Sequence, residues 1–249
     1  MDSKGFNYLL SVNTDPKTAK SNKYGEGKYL TAIQYLAPAK LSGVMNTCPS
    51  ATAGCIASCL HTAGNPVYLK VKTQARIART KYFHAHRELY KALLVKEMTK
   101  FVKKAAKLDA IPCVRLNGTS DIVWEVIFPE LFTMFPQVKF YDYTKIAKRV
   151  TGAWAKLPTN YYLTLSRAES NHADIENAIA NNPVANIAVV FGNCGISAHP
   201  KPLPATYLGR EVVDADLHDL RFLDGEGVVA GLRAKGKARK DNSGFVVMV

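Results

Sequence analysis

IPCVRLNG (111–118), VKFYDY (138–143), YYLTLS (161–166), IAVVFG (187–192) and EVVDAD (211–216) are short apolar runs whose starts lie 27, 23, 26 and 24 residues apart. That interval suits one strand plus one crossover helix, because parallel strands need a dozen or more residues to return to the same end of a sheet. Runs apolar on both faces imply a parallel sheet covered by helices. Working outward, YLTAIQYL (29–36) mixes β-branched, aromatic and apolar residues and stops at Ala37-Pro38-Ala39, which makes it the first strand. Helices are expected over 121–135, interrupted at Pro129, over 144–150 and over 173–180. About six such units are fewer than the eight of a closed barrel. The fold class is therefore read as α/β, a partial, open parallel β/α barrel of about six strands, with a doubly wound open sheet as its rival. RFLDGEGVVAGLR (221–233) reads as a C-terminal hairpin turning at Asp224 to Gly227.

Between the first two strands lie two helical stretches. Pro66 opens VYLKVKTQARIARTKYFH (67–84), and HRELYKALLVKEMTKFVKKAAK (86–107) places Leu89, Leu93, Leu94, Met98, Phe101 and Val102 on one apolar stripe with a basic opposite face. Residues 1–28, rich in Asn, Ser, Thr, Lys and Gly, read as an irregular arm, 29–232 as the barrel core and 233–249 as a basic tail. No linker divides the chain, so a single domain over 1–249 is expected.

The 249 residues carry 33 Lys and Arg against 20 Asp and Glu, a net charge of +13, and 47% are hydrophobic. The chain is too apolar for a disordered tail, and no window approaches the ~20 apolar residues of a membrane span. It reads as soluble and intracellular, with no membrane partner. The positive charge, concentrated in Lys70 to Lys107 and Arg233 to Lys240, favours polyanions, so nucleic acid is an expected partner. No motif for sequence-specific reading is present, nor a phosphate-binding glycine loop, a Gly-x-Ser-x-Gly elbow or a zinc-protease helix.

Three of the five cysteines, Cys48, Cys55 and Cys59, share the loop LSGVMNTCPSATAGCIASCLHTAGNP (41–66) directly after the first strand. In parallel α/β folds the loops at the carboxyl ends of strands converge on the active crevice. Arg115, Asn117, Ser120 and Asp121 fall on the same edge, as do Asp142, Tyr143, Ser166, Arg167, Asn193 and Cys194. Soft thiolate ligands select iron-sulfur clusters or zinc. For a four-iron cluster, the fourth position is either open to a small molecule or closed by Cys194. Zinc would take His61 or Cys194, although Cys48 and Cys55 are spaced more loosely than usual zinc pairs. Packing as small hydrophobes is the remaining alternative, and Cys113, mid-strand, is read that way.

A second constellation is EVVDADLHDLRFLD (211–224). A continuing strand alternates Asp214, Asp216 and His218 onto one face, a ligand set for a hard or borderline cation. The competing reading is a solvated strand end turning through His218-Asp219.

Four segments, SGVMNTCPSATAGCIASCLHTAG (42–64), RLNGTSD (115–121), YYLTLSRAE (161–169) and DADLHDLRFLDGEGVVAGLRAKGKA (214–238), together resemble the phage "gene product eighty-eight" family over nearly the whole chain. This implies a viral origin and a place in the cytoplasm of the infected host cell. A strand followed by a three-cysteine loop at the head of a six-stranded β/α barrel also resembles the radical S-adenosylmethionine superfamily, a TIM-barrel-like fold. There three cysteines hold a [4Fe-4S] cluster and the methionine part of the cofactor takes the open iron. The spacing here, Cys-x6-Cys-x3-Cys, departs from the Cys-x3-Cys-x2-Cys of that superfamily, and no glycine-glycine-glutamate segment follows the second strand.

The first functional expectation is accordingly a [4Fe-4S] protein with Cys48, Cys55 and Cys59 as ligands. Arg115, Asn117, Ser120 and Asp121 would line a crevice for S-adenosylmethionine or another small molecule. A second is a non-catalytic protein holding nucleic acid, its cluster closed by Cys194. A third is a metal-dependent nuclease using Asp214, Asp216 and His218.

Overall fold

A computed structural model describes residues 5–12, 16–24, 26–63, 66–151, 156–196 and 199–249. In chain order the elements are β1 (Leu10–Val12), α1 (Pro16–Tyr24), β2 (Tyr29–Gln34), α2 (Ala53–Ala57), α3 (Pro66–Ala85), α4 (Arg87–Lys107) and β3 (Ile111–Arg115). Then come α5 (Trp124–Ile127), α6 (Glu130–Met134), β4 (Lys139–Thr144), α7 (Ala147–Val150), β5 (Tyr161–Ser166), α8 (His172–Asn181) and β6 (Ile187–Gly192). The chain ends through β7 (Gly195–Ile196), β8 (His199–Pro200), β9 (Thr206–Tyr207), β10 (Arg210–Asp214), β11 (Val229–Arg233) and β12 (Val247–Met248). Among the described residues the protein is mixed α/β, with a mostly parallel sheet of ten strands in the order β1-β2-β3-β4-β5-β6-β11-β10-β9 and β12 paired to β6. Among the described residues no helix is long and apolar enough to cross a membrane. The chain divides into two compact units, residues 1–49, 64–141 and 158–161, and residues 50–63, 142–157 and 162–249.

In the first unit β2 pairs parallel to β3 from Tyr29↔Ile111 to Ile33↔Arg115, and β3 pairs to β4 at Val114↔Phe140. After its first residue β2 is buried throughout, and so is β3, which explains their unbroken apolar runs. α4 buries Tyr90, Leu94, Met98, Phe101 and Ala105. The helical stripe is thus rotated from the expected one: Leu89 is 60% exposed, and Tyr90 turns inward to pack edge-on against Phe83 at 5.0 Å and stack with Trp124 at 6.4 Å.

The irregular arm expected over residues 1–28 is corrected for the described residues, which hold a strand and a helix. β1 extends the sheet antiparallel to β2, with Leu10↔Gln34 and Val12↔Ala32. α1 has no apolar stripe to announce it. It is tied down by polar bonds instead: Thr31 donates through its backbone N–H (2.9 Å) and its hydroxyl (2.8 Å) to Asn22 Oδ1.

In the second unit β11 is a central strand, parallel to β6 (Val189↔Gly231) and to β10 (Val212↔Val229). The expected C-terminal hairpin is therefore corrected. Between β10 and β11 lies only the short 3-10 turn Arg221–Leu223, and the apolar run VVAGLR marks burial on both faces rather than return along a neighbour. Gly231 is required where β10 approaches, since a Cβ there would stand 2.7 Å from Val212 Cγ1 and 2.9 Å from Leu203 Cδ1. The expected basic tail is corrected as well. Residues 236–240 form a 3-10 turn, Phe245 and Val246 are buried, and β12 pairs to β6 at Val247↔Phe191.

Candidate functional site

All five cysteines are thiols, and they sort by environment. Cys113 is buried in β3, where burial pushes its thiol up despite Lys139. Cys194, 2% exposed, packs in a core cluster with Leu165, Val189, Phe191 and Val229. Burial pushes this thiol up too, against the positive charges of Arg233 and Lys201. Cys48, Cys55 and Cys59 are half-buried.

Cys48 belongs to the first unit, in the loop that follows β2. The Ala39 N–H donates to its sulfur at 3.4 Å, and the sulfur lies 3.8 Å from both the Thr119 carbonyl and the Thr47 hydroxyl. The Thr47 hydroxyl in turn donates to the Ala37 carbonyl at 2.6 Å, which closes the loop on itself.

Cys55 and Cys59 belong to the second unit. Cys55 rides on α2, with one side against a cluster of Ala168, Ala234, Ala238, Phe245 and Val246. Cys59 caps the 3-10 turn Leu60–Thr62, which contains His61. α2 is positioned by Glu169, whose carboxylate accepts from the Thr52 hydroxyl and the Gly54 N–H, each at 2.6 Å. Burial alone would raise this carboxyl, but those two donors and the N–H of Glu169 itself outweigh it and hold the group below its ordinary range. Ser58, at the other end of α2, donates to Asp241 at 3.3 Å. A cleft of about 460 Å³ borders this helix, lined by Gly54, Ala57, Ser58, Lys237, Lys240 and Asn242 among others.

The four residues expected to line a crevice are buried: Arg115 at 4% exposure, Asn117 at 1%, and Ser120 and Asp121 at 8% each. Asn117 organises its own loop. Its Oδ1 accepts from Ser120 Oγ (2.8 Å), the Ile122 N–H (2.9 Å) and Trp124 Nε1 (3.1 Å), and its Nδ2 donates to the Ile122 carbonyl at 2.9 Å. The Asp121 N–H donates to the Thr47 carbonyl at 2.8 Å, joining this loop to the one that carries Cys48. None of the four lines the cleft beside α2.

Arg167, expected on the carboxyl edge, staples the C-terminal segment, donating to the carbonyls of Gly244 and Phe245. Asp214 and Asp216 do reach a common point, but that point is Arg233. Its guanidinium donates to both oxygens of Asp214 at 2.9 Å and to Asp216 at 3.3 Å, and Lys235 closes the other side of Asp216. Burial would raise the Asp216 carboxyl; Lys235 and Arg233 outweigh it and hold the group low. His218 turns elsewhere, its Nδ1 accepting from the Leu220 N–H at 3.2 Å beside Arg221. Among the described residues no three His, Cys, Asp or Glu side chains are gathered in a way that could hold a metal ion.

Sequence reasoning missed Glu169, Arg233 and Asp241, because each works through a partner far along the chain. The Cys55 helix and Glu169 are joined across 115 residues at Gly54. A family model described as Gene product 88 matches residues 8–248. No curated protein and no solved structure matches the chain.

Proposed function

The chain belongs to the Gene product 88 family, and on that premise we propose that it is a phage-encoded iron-sulfur protein whose [4Fe-4S] cluster is held by Cys48, Cys55 and Cys59. The observation that carries this reading is the sorting of the five thiols. The three that share one loop are half-buried, whereas Cys113 and Cys194 are packed into apolar cores. The donor set fits such a cluster chemically, being three soft sulfur ligands, one in a loop, one on α2 and one at the start of a 3-10 turn. A bound cluster supplies one-electron transfer and a Lewis-acidic iron.

Three protein ligands leave one position for an exogenous molecule such as S-adenosylmethionine. The cleft beside α2, lined by Asp241 as well as Lys237 and Lys240, gives a small molecule room next to the helix that carries Cys55. We read the fold as a partial, open β/α barrel. Its support is the unbroken sequential order β2-β3-β4-β5-β6, as in singly wound barrels, where a doubly wound sheet would reverse direction. The nuclease reading gains no support, because Asp214 and Asp216 are engaged by Arg233 and Lys235.

Anaerobically purified or reconstituted protein should be brown, with about four iron and four sulfide per chain. Replacing Cys48, Cys55 or Cys59 by Ser should abolish the colour, while Cys194→Ala should keep it. Colourless protein without iron, or one tightly held zinc, overturns the proposal. Loss of the cluster in Cys194→Ala overturns the open fourth position.

A further inference from the structure

The second half of α4 carries five exposed lysines, Lys96, Lys100, Lys103, Lys104 and Lys107. At about 100° per residue, Lys96, Lys100, Lys103 and Lys107 fall within about 60° of one another, spread over about 16 Å at 1.5 Å per residue. The helix dipole accounts for cations in the last turn only. Lys100 and Lys96 lie about one and about two turns before it and need another reason. The single carboxylate in this stretch, Glu97, also lines the groove and offsets one of the five lysines, leaving four net positive charges. It is engaged by the backbone N–H groups of Leu9 and Leu10 at 2.9 Å.

Along the same helix runs a groove of about 450 Å³, with Lys96, Lys100 and Lys104 on one wall and Tyr8, Leu10 and Phe101 among the residues completing it. Tyr8 is 41% exposed. Arg79 fixes it, donating through Nε to the Tyr8 carbonyl at 2.7 Å with its guanidinium 5.3 Å from the ring centroid. The site thus combines a row of cations, an apolar floor and a fixed aromatic ring.

We propose that this face of α4 and its groove bind single-stranded nucleic acid, the lysines tracking phosphates and Tyr8 stacking a base. A duplex or an anionic membrane offers the charge but no unstacked base for the ring and the floor. At 3.4 Å per stacked nucleotide, the row of lysines spans about five nucleotides.

Fluorescence anisotropy of the full chain with a labelled fifteen-residue oligo-dT, between 50 and 200 mM salt, tests this. Four phosphate contacts give a log–log salt slope of about −3. Lys100→Ala with Lys103→Ala should halve the slope and weaken binding at 100 mM salt at least tenfold. Tyr8→Ala should weaken binding about tenfold and leave the slope unchanged, the signature of a stacking contact. Far-UV circular dichroism identical to that of the parent shows that the variants fold, and Lys237→Ala with Lys240→Ala should bind as the parent does. The proposal is overturned if the Lys100/Lys103 variant keeps the parent slope, if the Lys237/Lys240 variant lowers it instead, or if Tyr8→Ala has no effect. It is equally overturned if a duplex of the same length, or phosphatidylserine vesicles, bind at least as tightly as the oligonucleotide.

Discussion

Replacing Asp224 by Asn should give this protein a pH dependence of stability that the parent largely lacks. Arg221 NH1 lies 3.0 Å from Asp224 Oδ2, and both side chains are buried. Burial nevertheless pushes the Asp224 carboxyl from 3.8 up to about 6, outweighing Arg221, with Asp219 adding to the rise. His218, three residues from Arg221, moves the other way. Burial and the Arg221 charge lower its imidazole from 6.5 to about 4, against Asp219. Protonated Asp224 is favoured by folding, so its contribution is full below pH about 4 and lost as pH rises through about 6. Neutral His218 is favoured by folding, so its contribution is full above pH 6.5 and lost as pH falls toward about 4. Between pH 4.5 and 6.5 each contribution changes by about 2 kcal/mol at 1.36 kcal/mol per tenfold, in opposite directions. The parent should therefore be nearly flat. Asp224→Asn should gain about 2 kcal/mol over that interval, and His218→Asn should lose about as much. Urea denaturation at pH 4.5, 5.5 and 6.5 measures the difference, and curves for Asp224→Asn and the parent that run parallel refute the reasoning.

Asn117→Ala removes the acceptor shared by Ser120, the Ile122 N–H and the Trp124 indole, leaving buried donors unpaired; a loss of about 2–4 kcal/mol is expected by urea denaturation followed by tryptophan fluorescence. Gly231→Ala drives a methyl against Val212 and Leu203 and should cost about 1–3 kcal/mol, read as a fall in thermal midpoint of several degrees by circular dichroism. An unchanged midpoint would mean that β10 yields without cost.

The strands that could be read from the sequence are those buried on both faces. IPCVRL and IAVVFG have no polar positions to spare, and burial of β3 and β6 accounts for that. VVAGLR carried the same signal, but an apolar run does not say which strand it will lie beside. A local hairpin and a central parallel strand write the same letters. β1, α1 and β12 were illegible for a different reason: they are short or polar, and their stability comes from partners such as Thr31, Gln34 and Phe191. In the candidate site, the half-buried setting of Cys48, Cys55 and Cys59 accords with their place in a connecting loop, and the environment of Cys113 followed from its place in a strand. The role of Asp214 and Asp216 was not, because Arg233 lies 19 and 17 residues away and only the β10–β11 pairing brings it to them.

The pairing of β12 with β6 has a consequence for synthesis. The end of β6, at Phe191 and Gly192, stays without that neighbour until residues 247 and 248 have been made, about 55 residues later. At roughly 5–20 residues per second this leaves a strand edge bare for roughly 3–11 s, in a chain that already displays its apolar sheet. Bare edges recruit other strands. The nascent second unit is most exposed to mispairing and to chaperone capture in that interval, and a ribosome that stops short of Val247 leaves the edge open for good.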